Sequence, residues 1–275
     1  MTIKRPLCIA GKNRIAVDAL NLFINSPLYD VMVCPVASDS GHDSWQPSLR
    51  KFVKQLGCRI VSLEEAQKVA GLIFLSLEYD KIIDIDRFAN ANLFNIHFSY
   101  LPAYKGCFTS IWPILNEESV SGVTLHKIDK GIDTGPIVDQ RRFDLHNEIT
   151  AIELYDVYQK EGAALLKDDI LIFQKNDLEV VEQSAIGSTY FSRKSLASIP
   201  REISPHQTAF QIKKQVRALF FPVYQTATYC SDAIMRCRIT DRRSCLLPGT
   251  IVSKKDKSVM VSTIDYDVEL VKYQH

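Results

Sequence analysis

The chain has 275 residues, a net charge of +1, and 46% hydrophobic against 24% charged residues. That length allows one large domain or two modest ones, and a composition with only 11 Gly and 11 Pro excludes collagen-like and disordered chains. Lys+Arg 33 against Asp+Glu 32 leaves no basic excess for gripping a long polyanion, so a nucleic-acid partner is disfavoured, a local basic patch aside.

The apolar stretch after Arg5 ends at Gly11, too short for the core of a secretion signal. No apolar run approaches the length of a membrane span. Seven scattered cysteines, none in a zinc-ligand spacing, read as reduced thiols and point to the cytoplasm.

Strand and helix signals alternate along the first half. Residues 6–10 read as a buried strand; 13–24 place Ile15, Ala19, Leu20 and Phe23 on one helical face. A strand at 30–36, a polar loop, a helix at 46–57 and a strand at 58–61 follow. Ser62 and Glu65 make a capping box for a helix at 63–70. The continuous apolar run 71–77 is the mark of a strand buried on both faces of a parallel sheet, and 92–98 is the next strand. This order predicts an α/β fold with a doubly wound, mostly parallel sheet. The first strand ends in a single glycine, which argues against a dinucleotide site. Ser110 is placed to cap a helix with Pro113 in its first turn, and 120–128 returns as a strand. A long helix is expected over 151–174, opened by a second capping box of Thr150 and Glu153. Beyond about residue 180 the texture changes to one helix (205–220) and short alternating strands over 223–273. The expected division is a catalytic domain over 1–180 and a helix plus β-rich subdomain over 181–275.

Asn95 and His97, two apart on a strand, project from one face, and Ser99 continues it. A strand buried on both faces should be apolar, so three polar residues at its carboxyl end are either locally satisfied or placed at the ligand crevice of an α/β sheet. Asp133, in Gly131-Ile132-Asp133-Thr134-Gly135, lies about one crossover further on. If the two strands run side by side and parallel, this turn meets His97, where a carboxylate would orient the imidazole and favour its protonated form. Taken alone, Asp133 reads equally as a turn residue.

NIHFSYLPAYKG (95–106) followed by GVTLHKIDKGIDTGPIV (122–138) resembles the N10-formyltetrahydrofolate-dependent formyltransferases, which share an Asn-x-His, a Ser-x-Leu-Pro-x-x-x-Gly loop and an Asp in a Gly-x-Asp-x-Gly turn. LSLEYDKII (75–83), TYFSRKSL (189–196) and the stretch 211–225 resemble its bacterial sugar N-formyltransferase branch, which acts on amino sugars linked to a nucleoside diphosphate, often dTDP. Cys107-Phe108 departs from the residues usual in transfer-RNA and undecaprenyl-lineage enzymes. The resemblance implies Asn95, His97 and Asp133 as catalytic residues. It implies a folate site formed by the main chain of Leu77, Glu78 and Tyr79 with the turn of Asp129, Gly131 and Asp133. The nucleotide-linked amino sugar would be met by Tyr100 and by the cations Lys105, Lys81 and Arg217, with Tyr224 offering a flat face; Phe220 and its helix neighbours read equally as core. The expected cosubstrate is N10-formyltetrahydrofolate, with no metal and no covalent intermediate, in a homodimer serving surface-polysaccharide synthesis. The alternatives from another class are a formyltetrahydrofolate hydrolase, which the direct entry into the sheet at Leu7 speaks against, and a non-catalytic folate or nucleotide sensor.

Overall fold

The computed structural model describes residues 4–175 and 177–274. In chain order the elements are β1 (Arg5–Gly11), α1 (Asn13–Phe23), β2 (Tyr29–Pro35), α2 (Leu49–Leu56), β3 (Arg59–Ile60), α3 (Leu63–Gln67), β4 (Ile73–Leu77) and β5 (Asn92–His97). Then come β6 (Lys105–Gly106), α4 (Trp112–Leu115), β7 (Val120–Lys127), β8 (Ile137–Asp144) and α5 (Ala151–Asp168). The C-terminal part holds β9 (Tyr190–Phe191), α6 (Ala209–Leu219), β10 (Ala227–Tyr229), β11 (Asp232–Ile239), β12 (Ile251–Lys254), β13 (Ser258–Val261) and β14 (Val268–Lys272).

Two compact units interleave along the sequence. One takes residues 1–106, 122–143 and 157–190; the other takes Cys107–Ser121, Asp144–Asp156 and Phe191–His275. Two stretches from the first 180 residues thus pack with the C-terminal unit.

The first unit is built on a sheet of order β3-β2-β1-β4-β5-β7-β8. The pairs β1/β2, β1/β4, β2/β3 and β4/β5 are parallel, as expected. The pair β5/β7 is antiparallel, with Asn95 opposite His126 and His97 opposite Thr124, which corrects the parallel crossover expected between them. A parallel return needs a crossover, usually a helix lying over the sheet. Here residues 107–121 belong to the other unit, and their helix is only four residues long. It starts at Trp112 with Ile111 as its cap residue, so Ser110 is not the cap; Pro113 does sit in the first turn.

Every residue of β4 is buried, which explains its unbroken apolar run. Leu93 of β5 joins Phe74, Cys8, Met32 and Cys34 on one side. Ile96 and Phe98 face the other, where Phe98 stacks on Tyr158 of α5 (centroids 5.5 Å). Gly162 makes that packing possible: a Cβ there would lie 2.7 Å from Ile15 and 3.3 Å from Ile96. Each such apolar side chain contributes about 1.5–3 kcal/mol on burial. The Ser62–Glu65 capping box is formed, though its helix ends at Gln67. α5 ends at Asp168, and a separate 3₁₀ turn covers Ile172–Gln174. Glu153 accepts from both Thr150 N (2.9 Å) and Oγ1 (2.7 Å).

In the second unit, α6 packs on an antiparallel sheet of order β10-β11-β14-β13-β12. Thr208 and Gln211 form its capping box. Ile212, Val216 and Leu219 meet Ile234, Cys237 and Leu270 in one core. Among the described residues no helix is long and apolar enough to cross a membrane.

Just past the end of α5, Asp169 is raised to about 6 by burial first, then by the charge and hydrogen bond of Asp139 and the charge of Asp168, with Lys175 opposing. The folded state therefore binds more protons than the unfolded one between about pH 4 and 6, and this group's stabilisation is lost as pH rises through that window. Asp169→Asn should raise the melting temperature relative to wild type at pH 7.5 and give little or no gain at pH 4. Thermal unfolding of both proteins at the two pH values checks this, and an equal shift at both would show that the carboxyl is not responsible.

Candidate active site

Asn95 and His97 leave the same face of β5, while Ile96 between them packs inward against α5. Both are close to Asp133, although the turn that carries it follows an antiparallel strand. The turn folds back on itself: Asp129 Oδ1 accepts from Gly131 N (3.0 Å) and Thr134 Oγ1 (2.7 Å). Gly135 closes it, since a Cβ there would lie 1.8 Å from the Lys127 carbonyl oxygen. Asp133 takes a left-handed conformation (φ 54°), which aspartate tolerates better than most residues.

The Asp133 carboxylate is 14% exposed and engaged at both oxygens. Oδ2 accepts from Gly106 N (2.8 Å) and lies 3.4 Å from His97 Nδ1. Oδ1 lies 3.5 Å from Asn95 Nδ2 and 3.6 Å from His126 Nε2. Burial by itself would push this carboxyl up. The charge of His97, the proximity of His126 and the Gly106 N–H outweigh it and hold the group well below the usual carboxylate range.

His97 Nε2 is 2.9 Å from the Tyr104 carbonyl oxygen. A carbonyl only accepts, so Nε2 carries a proton. Nδ1 faces the Asp133 carboxylate, so both ring nitrogens are held by oxygen. Tyr104 itself is left-handed (φ 60°).

His126 was absent from the sequence reading and belongs to this cluster. Its Nδ1 is 2.8 Å from the Lys127 carbonyl oxygen, which makes Nδ1 the donor. Nε2 then accepts from Asn95 Nδ2 at 3.0 Å. This chain of roles fixes which end of the Asn95 amide is nitrogen, and turns that nitrogen toward Asp133. The available signal was the pairing of β5 with β7: His126 stands opposite Asn95 in the antiparallel register.

A formyl transferase family model matches residues 70–170, the stretch that contains every member of this cluster. A solved structure of WlaRD, a sugar 3N-formyl transferase in the presence of dTDP and 5-N-formyl-THF, is 39% identical, with TM-score 0.88 and 99% of each chain covered. The chain belongs to the formyltransferase family. An N-formyltransferase from Helicobacter canadensis, in complex with folinic acid and dTDP-3-aminofucose, is also 39% identical with TM-score 0.88, covering 98% of this formyltransferase and 100% of that chain. A methionyl-tRNA formyltransferase from Ruminiclostridium cellulolyticum is 27% identical over 280 residues, covering 93% of this chain and 87% of that one.

The remaining expected site residues of this formyltransferase fall into two groups. In the first unit, Leu77 is fully buried at the end of β4. Glu78, left-handed at φ 55°, accepts from Asn13 Nδ2 (3.0 Å) and Gln159 Nε2 (2.8 Å). The Tyr79 phenol meets Cys34 Sγ at 3.4 Å; burial first, then that contact, push its pKa up. The side chains of Glu78 and Tyr79 are thus engaged internally, which leaves their main chain as the surface offered. Lys81 is exposed. Tyr100 is 42% exposed and passes over Gly122. Lys105 is 8% exposed, its amine donating to Ser188 Oγ at 3.1 Å. In the second unit, Arg217 is half-buried, with one nitrogen on the Ile149 carbonyl (3.4 Å) and Nε unpartnered among the described residues. Tyr224 is 60% exposed beside the Phe221 ring.

His126→Phe keeps the ring's bulk and removes the acceptor that holds Asn95. One lost hydrogen bond of about 1 kcal/mol corresponds to a roughly fivefold fall in turnover, with unchanged far-UV circular dichroism. Steady-state kinetics of the variant check this, and wild-type turnover would show that Asn95 is held without His126.

Proposed function

We propose that this enzyme moves a formyl group from N10-formyltetrahydrofolate to the amine of a dTDP-linked 3-amino sugar. The observation that carries the reading is the Asn95–His97–Asp133 cluster in a chain that matches two dTDP-bound, folate-bound relatives at 39% identity over nearly its whole length. Both of those structures are of enzymes described with a 3-amino sugar or 3N transfer, which favours the amine at C3 over C4.

The chemistry is acyl transfer. The sugar amine attacks the formyl carbon, an oxyanion develops on the formyl oxygen, and the C–N10 bond breaks. The attacking nitrogen gives up one proton and the departing folate nitrogen takes one, so the protein must move a proton rather than supply one. His97 is suited to this because its Nδ1 sits against a carboxylate that stays ionised. The Asn95 amide supplies the N–H donor for the oxyanion: one hydrogen is held by His126, and the other has only the long 3.5 Å contact to Asp133. Such a donor is typically worth about 2.7–4 kcal/mol. Asp133 holds the imidazole and stabilises its charged form.

The folate lies against the main chain of Leu77–Tyr79 and the Asp129–Gly135 turn. The nucleotide is met by Tyr100, Lys81 and Lys105 of the first unit. The seven cysteines are all unpaired, which supports a reducing cytoplasm, and the product serves surface-polysaccharide synthesis. β12 is an edge strand of the C-terminal sheet, unpaired on its outer side among the described residues, which supports a homodimer.

The reading is tested by incubating the enzyme with N10-formyltetrahydrofolate and a panel of dTDP- and UDP-linked 3-amino and 4-amino sugars, scoring the mass gain of one formyl group. A dTDP-linked 3-amino sugar should be converted fastest. Formate release without any added amine would instead indicate hydrolysis. On the accepted sugar, His97→Asn should lose about 10²–10⁴ in kcat. Asp133→Asn should lower kcat far more than it raises KM for the sugar nucleotide; unchanged turnover in either variant would remove that residue from the mechanism.

A further inference from the structure

The segment 181–189 follows all the residues assigned to chemistry, and none of its side chains has a role so far. Yet it touches both arms that hold His97. On the Asp133 side, Val181 and Ile137 exchange backbone hydrogen bonds in both directions (2.8 Å each). Two residues later, Gln183 Nε2 donates to the carbonyl of Asp133 (2.9 Å) and to that of Gly135 (2.7 Å). On the Tyr104 side, Thr189 Oγ1 accepts from Tyr104 N (2.7 Å), its carbonyl accepts from Lys105 N (2.9 Å), and Ser188 Oγ accepts from the Lys105 amine (3.1 Å). His97 hangs between these arms, Nδ1 toward Asp133 and Nε2 toward the Tyr104 carbonyl.

We infer that Gln183 is a positioning residue for formyl transfer: its amide clamps the two carbonyls of the Asp133–Gly135 turn, and the segment it belongs to ties that turn to the Tyr104 loop as one strap. The inference rests on the formyl-transfer reading for its kinetic consequences and on geometry alone for its structural ones.

Three features support it. Asp133 is in a left-handed conformation that costs energy for a residue with a Cβ, so something must hold its peptide. Gln183 binds the carbonyl of that residue and of the one two further on. The orientation of the carboxamide is also settled, because a flipped amide would set its oxygen against two carbonyl oxygens. Its Oε1 is buried with no partner among the described residues, so no competing hydrogen bond draws the group elsewhere. Finally, the clamp acts on the reacting centre through one side chain only. When the peptide of Asp133 rotates, the carboxylate leaves both His97 Nδ1 and the Gly106 amide.

The test uses Gln183→Met, which keeps length and volume and removes both donated bonds, and Gln183→Asn, which keeps the amide but is too short to span both carbonyls. On the accepted sugar, Gln183→Met should lose about tenfold to thirtyfold in kcat, as two hydrogen bonds imply, with KM for the sugar nucleotide unchanged within about twofold. The loss should vanish when Gln183→Met is combined with Asp133→Asn, because a residue acting through Asp133 has nothing left to position. Independently of turnover, hydrogen exchange at the Gly106 amide should accelerate in Gln183→Met, since its acceptor is the Asp133 carboxylate. If Gln183→Met does not fold, Gln183→Asn is read against the same criteria. Wild-type kcat and unchanged Gly106 exchange in a folded variant would overturn the inference, as would a full additional loss on top of Asp133→Asn. A wild-type enzyme that formylates no amino sugar would overturn the functional reading instead, and the Gly106 exchange would still decide the role of Gln183.

Discussion

A carboxylate nearly removed from water governs this molecule's centre. Ionised, Asp133 would be expelled from such a position unless its surroundings returned the hydrogen bonds and charge that water had provided. The backbone N–H of Gly106, the imidazole of His97 and the amide of Asn95 do so. Asn95 and His97 come from β5 and Gly106 from β6; His97 is held in turn by the Tyr104 carbonyl, and Asn95 by the His126 ring, which the Lys127 carbonyl holds. The β5/β7 pairing, the Tyr104 loop and the folded-back turn are arranged so that this one group can stay charged. A charged acceptor beside the imidazole is what acyl transfer to an amine requires, because a proton must leave one nitrogen and reach another.

Much of the fold was legible because burial on both faces leaves a plain mark. The 71–77 run, the amphipathic Asn13–Phe23 helix and the alternating C-terminal strands all stand near their expected places. What escaped is informative. β8 was not anticipated, since IVDQRRFD is half charged and its burial is partial; such an edge strand has no apolar alternation to announce it. The direction of β7 was misjudged, because sequence gives the length of a connection and not where its middle packs. Residues 107–121 and 144–156 join the second unit, and nothing in their composition differs from the segments around them. Local propensity also overstated the helices, as at 63–70 and 151–174, where the cap was recognisable and the end was not.

The site divides the same way. Asn95, His97 and Asp133 were visible as polar residues at positions where an α/β sheet should be apolar or should turn. His126 was hidden because a histidine within a strand looks like any satisfied core residue until the opposite strand is known. Gln183 was hidden more deeply, in a polar stretch without periodicity, and its contacts are to carbonyl groups that carry no sequence information. Motif spacing exposes the groups of the cluster and stays silent on the groups that hold them.

The placement of the 181–189 segment has a consequence for how the enzyme comes into being. Domains tend to fold from the N-terminus as the chain is synthesised, and the sheet from β1 to β8 precedes this segment in sequence. A nascent chain emerging from the ribosome therefore displays the asparagine, the histidine and the aspartate well before the strap that ties their loops together. During that interval the chain carries Asn95, His97 and Asp133 without the segment that ties their loops together. The candidate site is thus completed by residues that arrive after the cluster itself and lie outside it.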